Sequence, residues 1–360
     1  MVRLRQLVDY FQMGESTGCL CVKRLVAVIA KNHDLKQDYF RSMNRADAKK
    51  CSDLHLERHG VEGMIGSLDC MHVFWKNCPI AWQGSHVGKD GKPSLVLEAC
   101  CDANLYFWHA CFGWAGSMND INIWDRSPLL KRFLDGSWST DIDFVFSVDG
   151  TEFTSLWFLV DGIYPELARF VKTLEQPMTA TDKIYSVWQE SSRKDIERAF
   201  GVLQRKFHYI CRPVEGWYVD EIQKVVETCI ILHNMMVVER VERDEEEGLG
   251  WYQEVLGDNS TTDEVNTTDQ AWDDHSRLEA EAYLRQRLRQ SYYDEDQAAE
   301  QDGDYGNDQE EEEDDSRDET TQLQQVANRR WDYLYDRSTH FDLRDAIRRQ
   351  IVSFYNRGVE

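Results

Sequence analysis

Long apolar runs, a signal-type leader and Cys-x-x-Cys pairs are all missing from this 360-residue sequence. No stretch of about 18 apolar residues occurs, so we expect no transmembrane helix and no membrane partner. The first ten residues lack the apolar core of a signal peptide. None of the ten cysteines forms a Cys-x-x-Cys pair, so zinc-finger ligand spacing is absent. We therefore expect buried, reduced thiols in a cytosolic or nuclear protein.

Lysine is absent from residues 238–360, where 14 arginines accompany 35 acidic residues. Residues 1–237 carry 27 basic and 30 acidic residues, so the net charge of −24 is concentrated in the C-terminal third. Residues 294–319 contain 15 acidic residues and one arginine, and such a block repels itself and stays disordered. The nearly neutral front part does not indicate DNA binding by overall charge, so any such contact must use local basic clusters.

Four segments are predicted from these patterns. They are a helical N-terminal region at residues 1–62, a catalytic domain at 63–240, an acidic and largely disordered linker at 241–321, and a helical segment at 322–360. Two helices joined across residues 13–18 are interpreted either as a degenerate helix-turn-helix or as an ordinary helical hairpin. The hairpin is favoured, because the second helix offers only three basic side chains to DNA.

The helical segment near the C-terminus has an apolar face. Its members recur at helical spacing and are Leu343, Ile347, Ile351 and Phe354. Two interpretations stay open for this helix. It docks on the body or on a partner, or it is an isolated and marginally stable helix.

Asp69 lies within a predicted strand at residues 63–75. Alternation places one set of side chains on one face of this strand, namely Ile65, Ser67, Asp69, Met71 and Val73. A carboxylate on a buried face is costly unless it is paired or metal-bound, so Asp69 is either a site residue or a salt-bridged structural aspartate. His72 is expected on the opposite face, where a hydrogen-bonded histidine is commoner than a ligand. Residues 94–102 and 105–114 continue as an antiparallel meander.

Two further aspartates occupy positions of interest. Asp161 ends the apolar strand 156–160 and precedes Gly162, and α/β folds place their chemistry at such strand ends. Asp120 opens a helix expected to continue to Phe133. The helix dipole alone explains an acid in the first turn, although Asp120 is kept as a secondary site candidate. Asp149-Gly150 predicts a hairpin turn between residues 144–148 and the strand that Asp161 ends.

Glu197 lies in a helix that the pattern Ser192-x-x-Asp195 predicts to begin with a capping box. The apolar stripe of this helix consists of Ile196, Phe200, Leu203, Phe207 and Ile210. Glu197 lies at the edge of that stripe. A single glutamate there is usually a surface residue, here paired with Arg193 and Arg198. The alternative is a third metal-binding carboxylate, and the elements upstream favour it, because two strand acids and one helix acid converge in an RNase H-like α/β fold.

Six sequence blocks together resemble the PIF/Harbinger-type DDE transposases of the plant transposon protein group. They cover roughly residues 60–240 and are specific jointly, although each is weak alone. The blocks are GSLDCMHVFWKNCP (66–79), GKPSLVLEA (91–99), GSMNDINIWDRSPL (116–129), LVDGIYP (159–165), RKDIERAFGVLQRKF (193–207) and CIILHNMMV (229–237).

The resemblance implies an RNase H-like mixed sheet flanked by helices, with Asp69, Asp161 and Glu197 as the catalytic, metal-binding acids. It implies an endonuclease and strand transferase that uses two Mg²⁺ or Mn²⁺ ions on transposon terminal repeats. His72 and Asp120 remain secondary candidates. The expected DNA contacts are Arg193, Lys194, Arg198, Arg205 and Lys206.

The resemblance also implies a nuclear location, a Myb/SANT-like accessory DNA-binding protein and a homo-oligomer. The N-terminal region is short for the family, so we expect a DNA-binding segment to be missing upstream. Two alternatives remain open. One is a domesticated, inactive DNA-binding or adaptor protein, and the other is an RNase H-like nuclease unrelated to transposition.

Overall fold

Three helices precede the first strand in the computed structural model, which describes residues 10–247 and 331–357. They are α1 (Glu15–Lys31), α2 (His33–Tyr39) and α3 (Arg45–His59). The side chains of Asn32 and Asn44 each accept a hydrogen bond from a backbone amide in the first turn of the following helix. The second of the two predicted N-terminal helices is confirmed as part of α1, whereas residues 1–9, which hold most of the first, lie outside the described residues. The linker expected at residues 13–18 is wrong, because α1 already begins inside it.

Seven strands lie within the described residues: β1 (Met64–Phe74), β2 (Ser94–Cys101), β3 (Phe107–Ala115), β4 (Phe146–Val148), β5 (Thr151–Phe153), β6 (Trp157–Leu159) and β7 (Phe170–Val171). Five of them form one sheet in the order β3-β2-β1-β6-β7. β1, β2 and β3 are an antiparallel meander, as predicted, whereas β6 runs parallel to β1 and β7 parallel to β6. The mixed sheet is flanked by helices, which agrees with the expected α/β class.

The remaining helices are α4 (Ile80–His86), α5 (Asp120–Trp124), α6 (Pro128–Asp135), α7 (Ser137–Asp141), α8 (Ala180–Lys206), α9 (His208–Cys211), α10 (Val219–Glu247) and α11 (Arg337–Arg357). One face of the sheet packs on α8 and α10, and the other packs on α3, α6 and α11. From the predicted apolar stripe, Ile196, Phe200 and Leu203 are buried in α8 against the first of these faces. The helix ends at Lys206, however, so Phe207 is a partly buried cap residue and Ile210 belongs to α9. No helix of the described residues is long and apolar enough to cross a bilayer.

Gly66 interrupts the alternation of side chains along β1, so residues before and after it do not keep to the faces that strict alternation predicts. Its φ is +156°, and a β-carbon there would lie 2.4 Å from the carbonyl oxygen of Cys101. The pairing of β1 with β6 shifts register between Met64 and Gly66. Ile65 consequently packs on the α3 side, whereas Met71 and Val73 pack on the α8 side. The predicted single face is therefore wrong for Ile65, but Asp69 keeps the face of Met71.

Several element boundaries differ from the predictions for local reasons. The helix expected to continue to Phe133 is interrupted before Pro128 and forms α5 and α6. The Asp149-Gly150 turn is confirmed, with positive φ at both residues, but its second strand is β5 rather than the strand before Asp161. That later strand is β6, which joins the main sheet.

The capping box predicted at Ser192 and Asp195 is also wrong. The chain becomes helical much earlier, at a capping box formed by Thr179 and Asp182. Ser192 and Asp195 are buried in the middle of α8, where both contact His59. A Ser-x-x-acid pattern therefore reports a helix start only where the preceding residues cannot continue the helix.

The C-terminal helix α11 docks on the body. Leu343, Ile347 and Ile351 are buried in the same cluster as α3 and α6, as the apolar face predicts. Arg348 pairs with Asp182 at 2.6 Å, which links α11 to the first turn of α8. The side chain of Phe354 and the acidic block at residues 294–319 lie outside the described residues.

Candidate active site

Asp69 lies in the middle of β1, with its side chain 17% exposed. Its Oδ1 accepts a hydrogen bond from the amide of Cys70 at 2.8 Å, and its Oδ2 accepts one from Arg193 Nη1 at 3.0 Å. Burial raises the pKa of Asp69 to about 7, with Arg193 and the Cys70 amide opposing the shift and the charges of Asp120 and Asp161 adding to it. A carboxylate that is costly to ionise has thus been placed inside the sheet.

Asp161 is brought next to Asp69 by the parallel pairing of β1 and β6. Ser67 lies opposite Leu159, and each aspartate follows two residues later on its own chain segment. Asp161 is exposed, and its Oδ1 accepts a hydrogen bond from the amide of Gly162 at 2.7 Å. Asp69 and Asp161 therefore lie side by side, each two residues past the same paired position, and their charges interact.

Glu197 reaches the same region from α8. Its Oε1 lies 3.0 Å from Nη2 of Arg193, whose Nη1 binds Asp69, so one guanidinium joins the strand acid to the helix acid. The side chain of Glu197 is 47% exposed. A β-carbon on Gly201, one turn later, would meet nothing within 4 Å, so the space beside Glu197 is open.

The three acids do not form a compact cage. Asp69, Asp161 and Glu197 are not among the described residues whose ligand atoms all lie within 4.8 Å of one another. Arg193 lies between two of them and neutralises part of their charge. The sequence predicted the ion pair between Arg193 and Glu197, four residues apart on one helix, but not the contact of the same guanidinium with Asp69.

Asp120 belongs to the same neighbourhood. It is the first residue of α5, and the side chain of Asn119 caps that helix. Burial raises the pKa of Asp120, the thiol of Cys70 opposes the shift as a hydrogen-bond donor, and Asp161 adds to it. A fourth carboxylate therefore lies near Asp69 and Asp161.

His72 lies on the opposite face of β1 from Asp69, as predicted, and its Nδ1 lies 2.9 Å from Ser94 Oγ. This is the hydrogen-bonded histidine that the strand alternation favours. Tyr164, three residues after Asp161, is fully buried, and its hydroxyl lies 3.5 Å from Cys70 Sγ. Tyr164 was not predicted as part of the site, although it lies in the block LVDGIYP.

The basic residues predicted to contact DNA fall into two groups. Arg193 and Arg198 are already paired with acids: Arg193 with Asp69 and Glu197, and Arg198 with the buried Asp195. The others are exposed on α8, and they are Lys194, Arg205 and Lys206.

The family model described as plant transposon protein matches residues 37–246 of this chain, a range that contains the whole sheet and all four carboxylates. The chain belongs to the plant transposon protein family. This confirms the resemblance seen in the sequence blocks. No solved structure matches the chain.

Curated relatives named "Putative nuclease HARBI1" match about half of this chain. The protein from Bos taurus is 24% identical over 178 residues, which are 49% of this chain and 46% of the relative. Over the same length and shares, the Mus musculus protein is 26% identical and the Homo sapiens protein 23% identical. The chain spans about half the length of the curated relatives it matches.

Proposed function

We propose that this chain is a transposase-derived, metal-dependent nuclease that cleaves DNA phosphodiester bonds with Asp69, Asp161 and Glu197. The observation that carries the proposal is the convergence of a buried strand acid and a helix acid on one guanidinium, beside a third acid at the end of the neighbouring strand. The family and the relatives' printed name support nuclease ancestry.

The proposed fold is RNase H-like. Its support is the strand order β3-β2-β1-β6-β7, with an antiparallel meander followed by two parallel strands. In that arrangement an acid in the central strand and an acid after the adjacent parallel strand come together, and the helix that covers this face supplies the last acid.

The donor set fits two Mg²⁺ or Mn²⁺ ions. Every candidate ligand atom is a carboxylate oxygen, which is what these hard cations prefer. Bound ions of this kind stabilise the attacking and leaving oxygens of a phosphodiester during an in-line displacement. Asp69 is held in place by the amide of Cys70 and Asp161 by the amide of Gly162. Arg193 has to release Asp69 and Glu197 to make their oxygens available, and it is then free to bind a phosphate.

DNA contacts are proposed for Lys194, Arg198, Arg205 and Lys206 on α8, in addition to the displaced Arg193. The evidence for these contacts is the position of the residues. They lie on the same helix as Glu197 and supply local positive charge on a nearly neutral body. Terminal repeats as substrate, a Myb/SANT-like accessory protein, a homo-oligomer and a nuclear location are proposed on the family resemblance alone.

Plasmid nicking tests the assignment. We expect the full chain to nick supercoiled DNA in Mg²⁺ or Mn²⁺, and Asp69→Asn, Asp161→Asn or Glu197→Gln to lower the rate by more than about 100-fold, the upper end of losses for residues that only support a ligand. Glu190→Gln is the matched control, since Glu190 is exposed two turns earlier on the same helix. Undiminished cleavage by Glu197→Gln would falsify the assigned triad.

The alternative is a domesticated protein that binds DNA or a partner without cleaving. The observation that favours it is the double ion pair of Arg193, which satisfies Asp69 and Glu197 without a metal ion. Calorimetric titration with Mn²⁺ separates the two. Absence of both Mn²⁺ binding and nicking, together with retained DNA binding, supports the alternative.

A further inference from the structure

A second cluster of metal-type ligands joins α3 to α8. His55 and His59 are one helical turn apart on α3, and Asp195 comes from α8. One ligand atom from each of the three lies within 4.8 Å of the other two. None of them belongs to the proposed nuclease triad, so this cluster stands independently of the proposed function.

Two of the three side chains already have hydrogen-bond partners. His59 Nε2 lies 3.0 Å from Asp195 Oδ2, and His59 Nδ1 lies 3.1 Å from Ser192 Oγ. The other oxygen of Asp195 accepts a hydrogen bond from Arg198. This network is complete without His55.

His55 is the exception. It is fully buried, and neither of its ring nitrogens has a hydrogen-bond partner. Its ring stacks on that of His59 with centroids 5.3 Å apart. Burying an imidazole without partners costs free energy, so a ligand for its nitrogen would explain why a polar ring occupies this position.

We propose that His55, His59 and Asp195 bind one Zn²⁺ ion that fastens α3 to α8. Two imidazoles and a carboxylate are donors that zinc takes readily, whereas Mg²⁺ prefers oxygen ligands alone. The surroundings of His59 and Asp195 also fit. A zinc-bound histidine normally donates its second ring N–H to an oxygen, as His59 Nδ1 is placed to do toward Ser192, and a zinc-bound carboxylate is itself hydrogen-bonded, as Asp195 is by Arg198.

Binding requires only a small closure of the three side chains. Ligand atoms at about 2.0–2.1 Å from zinc lie about 3.3 Å apart in a tetrahedron, against separations of up to 4.8 Å here. A water molecule completes the coordination. Since Asp195 lies two residues before Glu197, the ion would set how α8 presents Glu197 to β1.

The test uses the full chain, stripped of metal with a chelator that is then removed, in excess Mg²⁺ to occupy the all-carboxylate site. Titration with ZnCl2 is followed by thermal unfolding and by the bound zinc per chain. We expect one zinc ion per chain and a rise in Tm. His55→Leu should have a zinc-free Tm equal to or above that of the native protein, because it removes a buried ring without partners, and it should lose the zinc response.

The control variant is His340→Gln. His340 is also buried with an unpartnered Nε2, but it lies on α11, away from the cluster, so its zinc response should persist. If His55→Leu does not fold, Asp195→Asn tests the same site. Cobalt substitution gives a readout independent of stability, a visible d–d spectrum without a thiolate band. Failure of the native chain to bind zinc, or an unchanged zinc response in His55→Leu and Asp195→Asn, overturns the proposal.

Discussion

At the scale of single residues, Arg193 joins two of the acids on which the candidate site depends. Its guanidinium binds Asp69 in β1 and Glu197 on its own helix. The expectation of a surface ion pair between Glu197 and Arg193 and the expectation of a site glutamate are therefore both compatible with the observed geometry. The pair with Arg198 does not form, because that arginine binds Asp195 instead.

Asp69 also gives the folded protein a characteristic pH dependence. Burial raises its pKa to about 7, while the unfolded chain has the ordinary value near 3.8. Between these values the folded state holds more protons, so the contribution of Asp69 to the free energy of unfolding is fully present below about pH 4 and is lost as the pH rises to about 7.

Asp69→Asn removes the free-energy cost of ionising this buried side chain. In a chelating buffer, we expect the variant to gain stability over the native protein as the pH rises from about 4 to 7, at up to about 1.4 kcal/mol per pH unit, with no further gain above pH 7. Urea unfolding at a series of pH values measures the difference. A difference that does not change with pH would show that Asp69 ionises normally in the folded protein.

At the scale of elements, the phase of β1 decides which side chains meet α8. Gly66 allows the bulge that turns Ile65 toward α3 and keeps Asp69 on the α8 side. The bulge requires glycine, because a β-carbon would lie 2.4 Å from the Cys101 carbonyl oxygen and 3.1 Å from Cys100 Sγ.

Gly66→Ala should therefore destabilise the fold by at least about 2 kcal/mol, given the strain of the backbone conformation and the contact with β2. Gly201→Ala is the matched control. Gly201 lies inside α8 with open space around its α-carbon, so alanine should raise the helix stability by up to about 1 kcal/mol. Denaturant midpoints of the two variants measure both effects, and equal midpoints would contradict the role given to the bulge.

At the scale of the whole molecule, the C-terminal helix closes the core across a long interval of sequence. Ile347 is fully buried, and Arg348 and Arg349 form ion pairs with Asp182 and Asp149. Of the two interpretations left open by the sequence, docking on the body is the one observed. The positive charge of this helix meets acids of the body, while the strongly negative charge of residues 238–360 lies mostly outside the described residues.

Ile347→Ala tests this closure. Removing a fully buried isoleucine side chain should cost about 2–5 kcal/mol if α11 belongs to the cooperative core. Asp342→Ala, at an exposed position on the same helix, should change the stability by less than about 0.5 kcal/mol. A similarly small effect for Ile347→Ala would mean that α11 unfolds separately from the body.

The sequence by itself determined the features that depend on neighbouring residues. Alternation identified β1, two apolar and aromatic-rich runs across a short turn identified the rest of the meander, helical spacing identified the buried residues of α8 up to Leu203, and the Asp149-Gly150 pair identified a turn. Asp69 and Asp161 were singled out because a carboxylate in a buried strand or at a strand end needs a physical reason. Charge counting separated a neutral body from an acidic C-terminal third.

Only the tertiary structure decided the contacts between distant segments. Arg193 meets Asp69 across 124 positions, and His59 meets Asp195 across 136. The start of α8 at Thr179 and the partner of the hairpin strand also depend on packing that a local pattern does not report. Periodicity states which face of an element is buried, but the residues that meet there are chosen by how the chain closes its core.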